Sequence, residues 1–209
     1  MESVVGSRIV RIRRKIENAL CEWKLGIHTS GVYFSDSSND EYIYYGTQSY
    51  ATTRRILKRL ALSPSDVLVD LGCGKGRVVC LASLYRLREV IGVEYSPILC
   101  GIAKENAIRL KGRETPIRIW EGLAQEFDYS QGSVFYMFHP FGPNTLKQVL
   151  ANMRKGFEDC PRHIELVYVN PVHESILQDA KWLELQKRWE KGEHPDIDAD
   201  VSFWRIRTQ

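Results

Sequence analysis

A chain of 209 residues, 44% apolar and 26% charged, is long enough to bury one core without disulfide staples. Its five cysteines (Cys21, Cys73, Cys80, Cys100 and Cys160) form no Cys-x-x-Cys pair, which speaks for a reducing compartment and against a zinc site or any other metal. The formal charge of +3 is too small to argue for nucleic acid, Met1 to Val5 hold no secretory core, and no apolar run reaches the ~20 residues of a membrane span; a cytoplasmic protein is expected.

Residues 1–25 carry the whole net charge, with Arg8, Arg11, Arg13, Arg14, Lys15 and Lys24 against Glu2, Glu17 and Glu22. Ile9, Ile12, Ile16, Leu20 and Trp23 recur at helical spacing and predict an amphipathic helix. It reads either as a packing helix with a solvated basic face or as a docking surface for an acidic partner or RNA. His28 to Asn39 is rich in Ser, Gly and Asp and reads as loop, and the aromatic Tyr42 to Tyr45 as a short extended piece. Residues 1–45 thus form an extension, rich in Tyr33, Phe34, Tyr42, Tyr44 and Tyr45, expected to act as a lid on a domain spanning 46–209.

A helix from Tyr50 to Leu62 is ended by Ser63-Pro64-Ser65. Predicted strands then run over Val67–Asp70, Val90–Glu94, Ile117–Trp120, Ser133–Phe138, Ile164–Val169, Trp182–Trp189 and Val201–Ile206. Helices are predicted between them, over Arg77–Tyr85, Pro97–Leu110, Asn144–Phe157 and Glu174–Ala180. This alternation specifies a doubly wound α/β sheet, in which ligands sit beyond the carboxyl ends of the strands.

The first strand ends in Asp70 and runs into Gly72, Gly74 and Gly76. Only glycine lets the backbone turn sharply there and approach a ligand closely. A dinucleotide turn is spaced Gly-x-Gly-x-x-Gly and sets a pyrophosphate on the helix N-terminus. Here the spacing is Gly-x-Gly-x-Gly, Arg77 stands where the last dinucleotide glycine belongs, and the Asp70 carboxylate would repel a pyrophosphate. The same carboxylate suits an ammonium group, and Glu94, ending the second strand, suits both hydroxyls of a ribose. S-adenosylmethionine (SAM) presents both. Asp-x-Gly-x-Gly-x-Gly followed by Ile91-Gly92-Val93-Glu94 resembles the class I, seven-strand SAM-dependent methyltransferases. That resemblance implies strand order 3-2-1-4-5-7-6 with the last strand antiparallel. It also implies SAM contacts at Asp70, Gly72, Cys73, Gly74, Gly76, Glu94, Tyr95 and Phe138, with S-adenosylhomocysteine as product.

Ahead of the first strand, Tyr45-Gly46-Thr47-Gln48-Ser49-Tyr50-Ala51-Thr52-Thr53 resembles the Phe-Gly-Thr-Gly-x-His-x-Thr-Thr segment of ribosomal-protein lysine methyltransferases. Tyr45, Thr47 and Gln48 would then meet the methionine end of SAM; helix capping is the other reading of these hydroxyls. After the third strand, Gly122-Leu123-Ala124 replaces the usual Gly-Asp-Ala, so adenine recognition would rest on Leu123 and Ala124 backbone and packing. After the fourth, Phe138-His139-Pro140-Phe141-Gly142 partly resembles the Asn-Asn-Phe-x-Phe-Gly of non-SET histone-lysine methyltransferases. His139 there would accept a hydrogen bond or a proton from the acceptor amine. In Asn170-Pro171-Val172-His173, Asn170 would hold the acceptor and His173 would back up His139, or both would cap the helix that follows, while His163 is expected to be structural. The expected function is methyl transfer from SAM to a nucleophile, most simply nitrogen, on a protein or small molecule, with nucleic acid a weaker fit. The competing readings are a non-catalytic SAM-binding partner or sensor subunit and a nicotinamide oxidoreductase.

Overall fold

The structure, a computed structural model, describes residues 2–32 and 46–207, with side chains from Ile12 onward. The segment holding Tyr33, Phe34, Tyr42, Tyr44 and Tyr45, on which the expected lid and one SAM contact rest, lies outside the described residues. The elements are α1 (Glu2–Leu25), α2 (Tyr50–Arg59), β1 (Val67–Leu71), α3 (Arg77–Ala82), β2 (Glu89–Glu94), α4 (Pro97–Arg109) and β3 (Ile117–Glu121), then β4 (Val134–Phe138), α5 (Pro143–Asp159), β5 (Glu165–Val169), α6 (Glu174–Asp179), β6 (Leu183–Trp189) and β7 (Val201–Ile206).

All seven strands form one sheet in the order β3-β2-β1-β4-β5-β7-β6. The pairs among β1 to β5 are parallel, and β7 runs antiparallel to both β5 and β6. Strands buried on both faces read as unbroken apolar runs, which is why Val67 to Val69 and Val134 to Phe138 carry no polar alternation. One face of the sheet, with Leu68, Val90, Val134, Tyr136 and Val167, packs under α2, α3 and α4. The other, with Val69, Ile91, Phe135, Leu166 and Tyr168, packs under α5 and α6. Ser49 caps α2 by accepting from the Thr52 N–H, and Ser96 caps α4 with Pro97 at its first turn.

Several boundaries depart from the sequence reading for local reasons. The helix expected to reach Leu62 stops at Arg59, because Ala61 adopts a left-handed φ of 47°. The helix expected to reach Tyr85 stops at Ala82, where the Ser83 hydroxyl bonds back to the Cys80 carbonyl at 2.9 Å. Two short 3₁₀ turns, Ala124–Glu126 and Tyr129–Gln131, were not foreseen; they bring Phe127 and Tyr129 edge-on to each other in the core.

The orientation of α1 is a larger correction. A packing helix with a solvated basic face would bury its apolar stripe, yet Ile12, Ile16, Leu20 and Trp23 are exposed. The helix is held by other groups: Arg14 donates to the Thr47 carbonyl at 2.8 Å and pairs with Asp198 at 2.9 Å, and Leu25 enters the core. Among the described residues no helix is long and apolar enough to cross a membrane.

Candidate active site

The turn after β1 is built from backbone. Gly72, Gly74 and Gly76 have φ of 76°, 54° and 81°, a region L side chains rarely adopt. The N–H groups of Gly72 and Cys73 both donate to the Val93 carbonyl at 2.9 Å, which ties the turn to β2. A methyl group added to Gly72 would lie 2.5 Å from Pro140 Cβ, so this glycine is what lets the turn after β4 meet the turn after β1. Gly72→Ala is therefore expected to cost ~2–4 kcal/mol, from left-handed strain and overpacking together. Calorimetry should show Tm lower by roughly 10 °C. The Cys73 thiol packs inward, where it donates to the Gly74 carbonyl at 3.8 Å and where a Cβ on Gly92 would come within 2.7 Å of it.

Two carboxylates close the strand ends, and both are buried. Glu94 is oriented by the main chain: the Gly74 N–H donates to one oxygen and the Ser96 N–H to the other, each at 2.9 Å, and each oxygen keeps a lone pair for a further donor. Burial raises its pKa against those hydrogen bonds, to which the Tyr95 N–H adds. Asp70 has no hydrogen-bond donor among the described residues; burial, with the Glu94 charge second, pushes its carboxyl up to about 8. Such a group is stable only if it stays protonated or meets a cation.

Beside Asp70, in register on β4, stands Tyr136. Its hydroxyl is bonded by the Gln48 amide, which also donates to the Thr53 hydroxyl at 3.1 Å. The Gln48 Oε1 is buried and without a partner among the described residues. Gln48 thus offers a buried oxygen without a donor, and Asp70 a carboxyl to which no described residue donates, beside the glycine turn. That is the complement of an ammonium group, and the observation fits the amino-acid end of SAM. Tyr136 itself escaped the sequence reading, although alternation along β1 and β4 would place it level with Asp70.

The segment 46–49 is anchored by Arg77, a buried guanidinium. It donates to the Gln48 carbonyl at 2.6 Å and the Thr29 hydroxyl at 2.8 Å, reaches Glu22 at 3.4 Å, and stacks 4.3 Å from the Tyr50 ring centroid. Burial pushes the Glu22 carboxyl up, but hydrogen bonds from Thr29 and Ser30 and the Arg77 charge outweigh it and hold the pKa below the ordinary value. Of the other expected contacts, Thr47 is half-buried and gives its carbonyl to Arg14, while Tyr95, Phe138 and Leu123 are half-buried at strand ends. Ala124 is buried, and its carbonyl accepts from the Tyr129 hydroxyl at 2.8 Å, so packing and not this carbonyl is what it can offer an adenine.

His139 and Asn170 end β4 and β5 with φ of 40° and 49°; left-handed non-glycine residues at neighbouring strand ends store strain of the kind found at functional sites. The His139 Nδ1 lies 3.2 Å from the Tyr168 hydroxyl, which also accepts from the His173 N–H at 3.4 Å. The His139 and His173 rings are 5.2 Å apart. Tyr168 is buried, and the His139 Nδ1 is the acceptor within reach of its O–H among the described residues. Where the phenol donates to Nδ1, the neutral imidazole carries its own proton on Nε2. Burial, and secondarily His173, lowers the His139 pKa and keeps the ring neutral. In that tautomer Nε2–H is a donor, and in the other Nε2 is the acceptor that the sequence suggested. Capping does not account for the other two residues. His173 flanks α6 without a side-chain cap bond, and Asn170 engages through its backbone, its N–H to Asp200 at 2.7 Å, with an exposed side chain. His163 is exposed, 3.5 Å from Glu165. Among the described residues no cluster of His, Cys, Asp and Glu could hold a metal ion.

Three comparisons bear on this geometry. The family model of the histone methylation protein DOT1 matches residues 33–137, just over half of the chain. A protein-lysine N-methyltransferase of Saccharolobus islandicus is 26% identical over 144 residues, covering 68% of this chain and 89% of that protein. An H3 lysine-79 specific histone-lysine N-methyltransferase of Caenorhabditis elegans is 32% identical over 75 residues, 33% of this chain; the chain spans only 8% of that protein's length. An RNA methyltransferase from Salinibacter ruber, solved with S-adenosyl-L-homocysteine, superposes with a TM-score of 0.60 at 21% identity, over 78% of this chain and 95% of that one; this likeness is one of fold.

Proposed function

We propose, from the premise that this chain belongs to the family of the histone methylation protein DOT1, that it transfers a methyl group from SAM to the side-chain nitrogen of a protein lysine. One observation carries the cofactor: a donorless buried Asp70 and a Glu94 oriented by the main chain flank a glycine turn at neighbouring strand ends. The acceptor rests on family membership, on the similarity to a protein-lysine enzyme over most of both chains, and on charge. Glu190, Glu193, Asp196, Asp198 and Asp200 crowd one connection between β6 and β7, and the Asn170 N–H bonds the Asp200 carbonyl. An acidic segment beside a strand end favours a cationic peptide over a phosphate backbone.

Bound SAM supplies an electrophilic methyl on a cationic sulfonium, which departs as a neutral thioether. The residues of the chain then have positioning to do. Asp70 and Gln48 would hold the amino-acid end and Glu94 the ribose, fixing the direction of the methyl. Near-attack placement of this kind is worth on the order of 7–11 kcal/mol in intramolecular reactions. The lysine must arrive neutral, and burial on entering the site disfavours its charged form. His139, donating from Nε2, would hold an oxygen of the acceptor chain.

Tyr168→Phe tests that role. Without the phenol the neutral ring is free to place its proton on either nitrogen, and ¹⁵N spectra of His139 should shift from the Nε2–H tautomer toward a mixture. An unchanged spectrum would remove Tyr168 from the site. For the function itself, the purified chain is incubated with tritium-labelled SAM and fractionated extract. Label is expected in protein and, after acid hydrolysis, in methyl-lysine. Label confined to nucleic acid or small metabolites overturns the acceptor, and SAM binding with no label in any pool overturns turnover.

A further inference from the structure

Among the described residues the apolar stripe of α1 has no partner. Ile12, Ile16, Leu20 and Trp23 are 50, 56, 61 and 80% exposed, while the other exposed large apolar residues are scattered over other elements. A contiguous exposed apolar patch on a protein surface marks an interaction site. At ~100° per residue the four positions fall within an arc of ~80°. That is narrower than the apolar face of a helix lying in a lipid surface and matches the seam of two paired helices. With Ile16 and Trp23 as the first apolar position of successive heptads, Ile12 and Ala19 take the second, and the sequence continues the spacing back to Ile9 and Val5.

Charge decides what lies across the seam. Its flanking positions hold Arg13 and Lys15, both exposed. A carboxylate also occurs there, Glu22, but it is buried and committed to Thr29, Ser30 and Arg77. A second copy of the chain would bring no uncommitted carboxylate to Arg13 or Lys15 in either orientation, since the other described flanking positions are Leu20 and the Glu22 held by its own domain. The opposite face is closed to a partner, since Arg14 and Leu25 hold it to the domain.

We infer that α1 is the docking surface for an amphipathic helix of a partner protein whose apolar seam is flanked by Asp and Glu. The inference is independent of the methyl acceptor and of the cofactor.

The probe is a synthetic heptad peptide with Leu at the seam and Glu at the flanks, labelled with fluorescein and titrated with the full chain by anisotropy. Its twin carries Lys at the flanks. The Glu peptide is expected to bind at least about tenfold more tightly than the Lys peptide, with the difference shrinking at high salt. Ile16→Asp and Trp23→Asp should each weaken it by about tenfold or more with the circular dichroism spectrum unchanged. Equal binding of the two peptides, or indifference to both substitutions, overturns the inference. So does sedimentation of the chain as a dimer that Ile16→Asp dissociates, which assigns the seam to a second copy. Cosedimentation with phosphatidylserine vesicles that Trp23→Asp abolishes assigns it to a lipid surface instead.

Discussion

Asp70→Asn is expected to raise the Kd for SAM on the order of 100-fold while making the ligand-free protein more stable. The two effects have one cause. In the folded chain the carboxyl is pushed up to about 8 from an ordinary 3.8, by burial first and by Glu94 second. Below about pH 4 both folded and unfolded states hold the proton and Asp70 is neutral to stability. Between about 4 and 8 the unfolded state releases it and the folded state does not, so folding stability falls as pH rises. An amide of the same shape carries no such penalty, and the Tm of the ligand-free Asp70→Asn protein should exceed that of the parent at pH 7. The lost affinity corresponds to a charged hydrogen bond of ~3 kcal/mol, at 1.4 kcal/mol for each tenfold. A cation binds the ionised carboxylate, so the affinity of the parent for SAM should rise with pH toward 8. It should then level off as the ligand's own α-amino group, ordinarily near 8, loses its proton. Calorimetric titration from pH 6 to 9 checks both limbs. A flat profile in the parent, or unchanged affinity in Asp70→Asn, would remove this carboxylate from the site.

Arg77→Met should be among the most destabilising single substitutions in the chain. The guanidinium is buried and satisfies the Gln48 carbonyl, the Thr29 and Ser30 hydroxyls and Glu22 together. Removing it strands the Glu22 carboxylate in a buried site, for which ~3–5 kcal/mol is typical. Thermal unfolding should fall by roughly 10–15 °C for a chain of this size. The second substitution in the pair decides the cause. If the cost is the unpaired charge, Arg77→Met with Glu22→Leu recovers much of the lost stability, since a buried pair replaced by apolar groups is often neutral or better. If the double variant is as unstable as the single one, the hydrogen bonds to Thr29 and to the Gln48 carbonyl are what Arg77 supplies. SAM affinity should drop in both variants, because Gln48 loses the anchor that holds its segment over Asp70.

How much could be read from the residues alone varies with the distance over which each interaction acts. The doubly wound sheet, the cofactor turn and the acid at each strand end were legible because each rests on neighbours in sequence. Val67 to Val69 are apolar since both faces are covered, and three alternating glycines mean a backbone that must take positive φ. Even the helix ends missed by a few residues have local reasons, a left-handed Ala61 and a Ser83 that bonds its own preceding turn. The pairing of His139 with a phenol was not legible, because its partner Tyr168 lies 29 residues away.

Sequence by itself determined the layers, the order in which glycine and carboxylate meet, and the presence of a basic amphipathic helix at the start of the chain. Tertiary structure alone decided which way that helix faces, which oxygen of Gln48 is left without a donor, and why Arg77 is buried. The periodicity of a helix states that it has two faces and is silent on which one a long-range ion pair will turn inward. In α1 Arg14 and Glu22 fasten the polar side to Asp198 and Arg77, and the apolar stripe is left to water. Pairings across dozens of residues are set by closure of the sheet, and no local pattern encodes them.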